Sequence, residues 1–194
     1  MNLPNKITFA RIILTVIIVI MILFPFNTIG ITTTKLFINE AIVVDVRYLI
    51  AGILFLIASL TDFLDGYIAR KHNLVTDLGK ILDAIADKIL VNAVLVALAA
   101  QGLIHPLIPI IIISRDIIVD SIKMIVGNKK EAVAASNLGK AKTLFMMSGI
   151  TLSLFYNLPF ELWNLNISNL LLIVATILSV VSAFDYYYKY KEVI

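Results

Sequence analysis

The chain has no cysteine and only 2 histidines in 194 residues. Disulfide frameworks, thiolate nucleophiles and Cys/His zinc sites are therefore excluded. His72 and His105 each stand alone, with no second ligand at a useful spacing, and read as polar boundary residues. Charge is scarce too: charged residues make up 15% of the chain, against about 25% in ordinary soluble domains. The net charge of +3 is too small to argue for a nucleic-acid partner. There is no internal repeat and no low-complexity tract. What remains is apolar, with 60% hydrophobic residues and a mean hydropathy of +0.99. Soluble domains rarely exceed about half, so the composition points to an integral membrane protein, read as a single domain over 1–194.

Apolar runs lie near 8–26, 48–70, 80–101, 104–127, 139–157 and 167–188. Each is long enough to cross roughly 30 Å of hydrocarbon. The expected fold is all-α: a polytopic membrane protein with six transmembrane helices. Residues 1–11 are mildly amphipathic, with Pro4 suited to a first helical turn, and predict a short N-terminal interfacial helix. A signal peptide is the competing reading. No small-x-small cleavage site follows the first apolar run, which favours a retained helix. Residues 27–47 read as a longer polar connection, and 102–106 and 157–166 as short turns. Phe160 and Trp163 suit an interface belt, and Tyr186 to Tyr188 with Lys189 and Lys191 suit an anchor at the end of the last helix. Of the 16 lysines and arginines, all but Lys35, Arg47 and Arg115 fall on one side of a six-span threading. That bias places both termini on the cytoplasmic side of the cell membrane.

Against this apolar background the stretch from Asp62 to Asp87 stands out. Asp62 and Asp65 are i,i+3, so on a helix they share a face about 4.5 Å apart along the axis. Asp83 and Asp87 are i,i+4 and share a face likewise, with Gly79 one turn before them. Gly66 and Ala69 leave the backbone beside the first pair thinly covered. Residues 71–78 break the apolar pattern and can return the chain, so two helices joined there would bring four carboxylates together. An intramembrane Asp costs about 2.5–3.5 kcal/mol on insertion scales, and four unpartnered ones roughly 10 or more. Divalent ions would remove that cost. Oxygen-only ligands favour a hard ion such as Mg²⁺ or Mn²⁺, and two such ions could clamp a phosphoryl group. The bland alternative is acids solvated at helix ends. A rival from another class is a divalent-cation transporter, which has no need of Gly66, Arg70 and Gly79 at these offsets. Asp77 reads as a solvated or helix-N-terminal acid.

A basic cluster lies further along. Arg115 sits inside an apolar run, and an intramembrane Arg is a functional candidate by default. Lys123 lies eight residues on, in a similar direction. Lys140 and Lys142 open the fifth run, where basic side chains and free N–H groups suit a phosphate. Two alternatives compete. Arg115 could instead pair with Asp116, Asp120 or a motif Asp, and the lysines could be ordinary positive-inside residues.

The pattern Asp62-x2-Asp65-Gly66-x2-Ala69-Arg70-x8-Gly79-x3-Asp83-x3-Asp87 resembles the signature of the CDP-alcohol phosphotransferases, with every fixed position present. The likeness covers nearly the whole chain. It implies transfer of a phosphatidyl group from CDP-diacylglycerol to an alcohol, with release of CMP. It further implies two divalent cations, Mg²⁺ or Mn²⁺, held by Asp62, Asp65, Asp83 and Asp87, with Asp87 also the general base. Asn5, Thr8, Asp65, Gly66, Arg70, Thr76 and Gly79 would meet the CDP-lipid. Within the family, Asn2-Leu3-Pro4-Asn5 with Thr8 and Arg11, Leu82-Asp83 with Ala86-Asp87-Lys88, and Gly139-Lys140-Ala141-Lys142-Thr143 are most similar to members using glycerol 3-phosphate. Arg115, Lys123, Lys140 and Lys142 would hold its phosphate. Ala84, Lys123 and Asp120-Ser121 depart from that subgroup's pattern. Other acceptors within the family are phosphatidylglycerol, serine and an inositol phosphate. The likeness also implies a homodimer in the lipid bilayer.

Overall fold

The computed structural model describes residues 3–38, 42–71, 77–128 and 136–191; the side chains of 3–4, 27, 63–71, 77–78, 80 and 128 lie outside that description. The architecture is all-α. Its helices are α1 (Leu3–Leu23), α2 (Val46–Lys71), α3 (Asp77–Ala100), α4 (Leu107–Asn128), α5 (Asn137–Leu154) and α6 (Ile167–Tyr190). Each expected apolar run becomes one helix, with ends shifted by a few residues.

Two local features differ from the sequence reading. The amphipathic opening is the first turns of α1, not a separate helix, because Pro4 sits where a helix tolerates it and the chain continues straight into the apolar run. The connection between α1 and α2 contains an antiparallel hairpin, β1 (Lys35–Ile38) with β2 (Ile42–Asp45), in register Lys35↔Asp45. Its Leu, Phe, Ile and Val residues have the β-favouring character that a polar-connection reading overlooks.

Among the described residues, the spans Asn5–Leu23 and Ile167–Tyr190 are long and apolar enough to cross a membrane. The other helices carry charge within the helix itself, which shortens their uncharged stretch. In α2 the charges gather toward the C-terminal end, and in α3 toward the N-terminal end.

The contacts divide the chain into two compact units, Met1–Leu103 with Leu154–Tyr156, and Ile104–Ser153 with Asn157–Ile194. In the first, α1 lies against both α2 and α3 and joins them. The buried stripe of α1 is Thr8, Arg11, Thr15, Ile18 and Ile22, so one face is polar in its first half and apolar in its second. In α2, Ala51, Phe55 and Ala58 form the buried stripe, and Asp62 continues it one turn on. In α3, Ala86, Leu90, Val94 and Ala97 are buried, and Asp83 precedes Ala86 on the same face. Small residues at these contacts let helix backbones approach closely, the usual packing device where burial of apolar surface supplies little drive. The outward faces are apolar instead: Ile13, Val16 and Ile20 of α1 and Ile53, Leu56 and Leu60 of α2 are exposed.

Gly102 ends α3 at φ +72°. The Leu103 N–H donates to Leu98 O and the Gly102 N–H to Ala99 O, the paired bonds of a Schellman cap, where only glycine adopts the left-handed conformation without strain. Just before α2 begins, Asp45 accepts from the Arg47 guanidinium at 2.9 and 2.7 Å, from the Arg47 backbone at 3.0 Å and from Thr33 at 3.0 Å. Burial pushes the Asp45 carboxyl up, but these hydrogen bonds outweigh it and hold it below its usual range.

In the second unit α4 lies against α6. Gly149 of α5 meets Leu172 of α6 so closely that a Cβ there would come within 2.7 Å of Leu172 Cγ. The loop between these helices is fastened by buried Asn157, which donates to Glu161 at 2.9 Å and Leu165 O at 2.7 Å and accepts from the Ser168 N–H at 3.0 Å. Asn166 caps α6 by accepting from the Asn169 N–H.

Candidate active site

The acids of the motif sit on helices that α1 brings together. Asp62 lies toward the end of α2 and Asp83 in the second turn of α3. Their Oδ1 atoms both accept from one nitrogen, Arg11 Nη1, at 2.5 and 3.1 Å. Arg11 is fully enclosed, while the Asp62 and Asp83 side chains are 36% and 43% exposed. A buried cation thus lies beneath two accessible carboxylates. Arg11 itself is anchored on the polar half of its stripe, where the Thr15 hydroxyl donates to Arg11 O at 2.9 Å. A charge this deep is tolerated only because it is paired on arrival.

The remaining motif positions divide by place. Asp87 follows Asp83 by one turn of α3 and is half-buried, as is Gly79 one turn before. Thr8 is buried on the Arg11 face and Asn5 is half-buried one turn earlier. Asp65, Gly66 and Arg70 lie on the last turns of α2, but their side chains are outside the described residues, and Thr76 is outside them altogether.

Among the described residues, no group of three acidic or imidazole side chains stands close enough to hold a metal ion. Asp65, which would extend the set, is not among those side chains. The donor chemistry does fit: the atoms that would hold an ion are carboxylate oxygens only, and the position between Asp62 and Asp83 already holds positive charge.

The basic residues form a second constellation, within the second unit. Asp116 Oδ1 accepts from Arg115 Nη1 at 2.9 Å and from Lys142 Nζ at 2.6 Å. Arg115 also donates from Nε to Ser179 O at 3.1 Å and from Nη2 to Ser182 Oγ at 2.6 Å. The Tyr186 ring lies 5.9 Å from Arg115 Cζ and 5.2 Å from Lys123 Nζ, and the Tyr186 hydroxyl accepts from the Ser136 N–H. Arg115, Lys123 and Lys142 therefore converge around Asp116 and Tyr186, and Lys140 is left exposed. The pairing of Arg115 with Asp116 was the competing sequence reading, and it describes the contacts.

Arg11 is the residue whose place beneath the acids sequence reasoning missed. The signal was present: it is a lone cation within an apolar run, the same feature that singled out Arg115. Arg11 entered the sequence reading only among the charges on one side of the threading and in the likeness to members using glycerol 3-phosphate. Ser179 and Ser182 were missed because their bonds to Arg115 depend on α4 and α6 lying side by side.

A helical protein with apolar outward faces and a buried arginine beneath accessible carboxylates is the class these features define. A family model described as CDP-alcohol phosphatidyltransferase matches residues 1–181. The chain is 43% identical over 191 residues to the CDP-diacylglycerol--glycerol-3-phosphate 3-phosphatidyltransferase of Bacillus subtilis, covering 98% of this chain and 96% of that one. It is 32% identical over 192 residues to the protein of that description from Rickettsia bellii, covering 98% and 96%. It is 40% identical over 115 residues to a cardiolipin synthase (CMP-forming) from rice, covering 52% of this chain and 35% of that one. The chain belongs to the CDP-alcohol phosphatidyltransferase family. Family membership makes it an enzyme and sets aside the cation-transporter reading.

Proposed function

We propose that the chain transfers a phosphatidyl group from CDP-diacylglycerol to glycerol 3-phosphate, giving phosphatidylglycerophosphate and CMP. The observation that carries this reading is the convergence of Asp62 and Asp83 on one cationic position, within a motif complete at every fixed residue. The relatives from Bacillus and Rickettsia, which align along nearly the whole chain, support the donor and acceptor. We take the chain to act as one domain, since the family match runs through both compact units. The apolar outward faces support a multi-pass protein in the cell membrane. The charge bias supports cytoplasmic termini and a cytoplasmic active site, and a homodimer is part of the same reading.

Two divalent ions, Mg²⁺ or Mn²⁺, held by Asp62, Asp65, Asp83 and Asp87, would neutralise the pyrophosphate and the charge that grows on departing CMP. Thr8, Asn5, Gly66, Arg70, Thr76 and Gly79 meet the cytidine diphosphate part of the donor, and the glycines let it approach the helix backbones. Asp87 accepts the proton from the acceptor hydroxyl as that oxygen attacks the lipid-side phosphorus. Arg115, Lys123 and Lys142, with Lys140 at the rim, hold the acceptor's phosphate and so aim its hydroxyl. In this reading Asp116 keeps two of the cations in place while the acceptor is absent.

The rice relative favours one second reading, with phosphatidylglycerol as the acceptor. A single experiment separates the two. Purified protein is given CDP-diacylglycerol, Mg²⁺ or Mn²⁺, and in turn glycerol 3-phosphate, phosphatidylglycerol, serine and an inositol phosphate, and CMP release is followed. Glycerol 3-phosphate is expected to give the fastest release. Faster release with any other acceptor reassigns the substrate, and no release with any of them rejects the reaction.

A further inference from the structure

We propose that Arg11 is the resident counter-cation of the acid cluster. It holds Asp62 and Asp83 together while no divalent ion is bound, and its charge sets how tightly such ions bind. The inference rests on the metal reading given above.

The argument starts from shared oxygens. Arg11 Nη1 donates hydrogen bonds to Asp62 Oδ1 and Asp83 Oδ1, which are carboxylate oxygens of the motif. A divalent ion seeking those oxygens must share them with the guanidinium or replace it. Exposure decides the direction of approach. Arg11 is 0% exposed and both acids are more than a third exposed, so an ion arriving from outside meets carboxylate first and the buried cation behind it. At an effective dielectric of about 20, a unit charge and a charge twice as large repel strongly across a few ångströms. The pairing also has a use of its own. Two carboxylates that face one position repel each other when nothing lies between them, and a guanidinium on a neighbouring helix removes that repulsion without any ion. Arg11 lies 51 residues from Asp62 and 72 from Asp83, so the pair of bonds ties α1 to both other helices. The acid cluster can therefore stay assembled between successive ions, and binding is kept weak enough for exchange.

The test uses the full chain in detergent as wild type, Arg11→Gln and Arg11→Lys, with Mn²⁺ titrated by calorimetry and melting followed in EDTA. Arg11→Gln is expected to bind Mn²⁺ about tenfold tighter or more, because a positive charge beside the ion is gone. In EDTA it is expected to melt roughly 5 °C or more below wild type. Arg11→Lys keeps the charge and is expected to stay within about threefold of wild type in Mn²⁺ affinity. Equal or weaker Mn²⁺ binding by Arg11→Gln overturns the inference and makes Arg11 a positioning residue for the acids. Where Arg11→Gln cannot be kept folded in EDTA, it is purified in Mn²⁺ and its affinity is read by chelator competition. The double variant Arg11→Gln/Asp83→Asn, which loses one charge of each sign, is expected to melt above Arg11→Gln in EDTA; a melt no higher also overturns the inference. Absence of Mn²⁺ binding by wild type and every variant rejects the metal reading itself, a result distinct from binding that Arg11 fails to modulate.

Discussion

Replacing Asp116 by Asn keeps the side chain's shape and removes its charge. Two cations depend on that charge. Arg115 Nη1 and Lys142 Nζ both donate to Asp116 Oδ1, and the Arg115, Lys142 and Asp116 side chains are only 11%, 5% and 17% exposed. Removing one partner of a buried ion pair costs about 3–5 kcal/mol, chiefly because the opposite charge stays buried without compensation. The Asn amide oxygen can still accept, and Arg115 keeps its bonds to Ser179 O and Ser182 Oγ. These retained bonds bring the expected loss toward the lower end, about 3 kcal/mol. For a chain of this size that corresponds to a fall of roughly 6–12 °C in melting temperature. The assay is thermal unfolding in detergent with and without glycerol 3-phosphate. If the cluster holds the acceptor's phosphate, the ligand supplies the missing anion and raises the variant's Tm by more than it raises wild type's. An unchanged Tm for the variant would refute the ion-pair account. Equal ligand shifts in both proteins would refute the phosphate assignment.

Three further outcomes follow from the geometry. Asp87→Asn is expected to lower CMP release by about 10²-fold or more while leaving the melting curve close to wild type; substantial turnover would reject Asp87 as the base. The depressed carboxyl of Asp45 stabilises the fold above its unfolded value of 3.8, and that contribution is lost as pH falls through the lower folded value. Melting temperature should therefore drop on acidification below about pH 5, and Asp45→Asn should flatten that dependence; an unaltered slope would count against it. Gly149→Val should destabilise the second unit by about 1–3 kcal/mol, read as a lower Tm, because its Cβ would meet Leu172 at 2.7 Å and the backbone N of Leu172 at 3.3 Å. A wild-type Tm would mean that α5 and α6 can separate at no cost.

The helices were legible because apolar runs bounded by polar residues are a one-dimensional signal. The limits read from sequence, such as 48–70 and 167–188, lie within a few residues of α2 and α6. The hairpin was not legible: residues 35–45 mix Lys35, Glu40 and Asp45 with apolar residues, and pairing of Lys35 with Asp45 arises only when the chain folds back. The acid motif was legible because helical spacing alone puts Asp62 with Asp65 and Asp83 with Asp87 on common faces. What lies opposite those faces was not. Arg11 is as far from Asp83 in sequence as a 72-residue separation allows, and no local pattern links them.

From the sequence alone came the chemical class: clustered carboxylates without cysteine or paired imidazoles, an apolar chain with few charges, and a signature complete at every fixed position. Those properties are additive along the chain, so reading residues in order is enough. Tertiary structure decided which charges meet. It placed Arg11 beneath Asp62 and Asp83, gave Asp116 to both Arg115 and Lys142, and left Lys140 outside. An ion pair depends on two helices arriving side by side at matching height, and their packing sets that height through residues such as Ala51, Ala58 and Ala86.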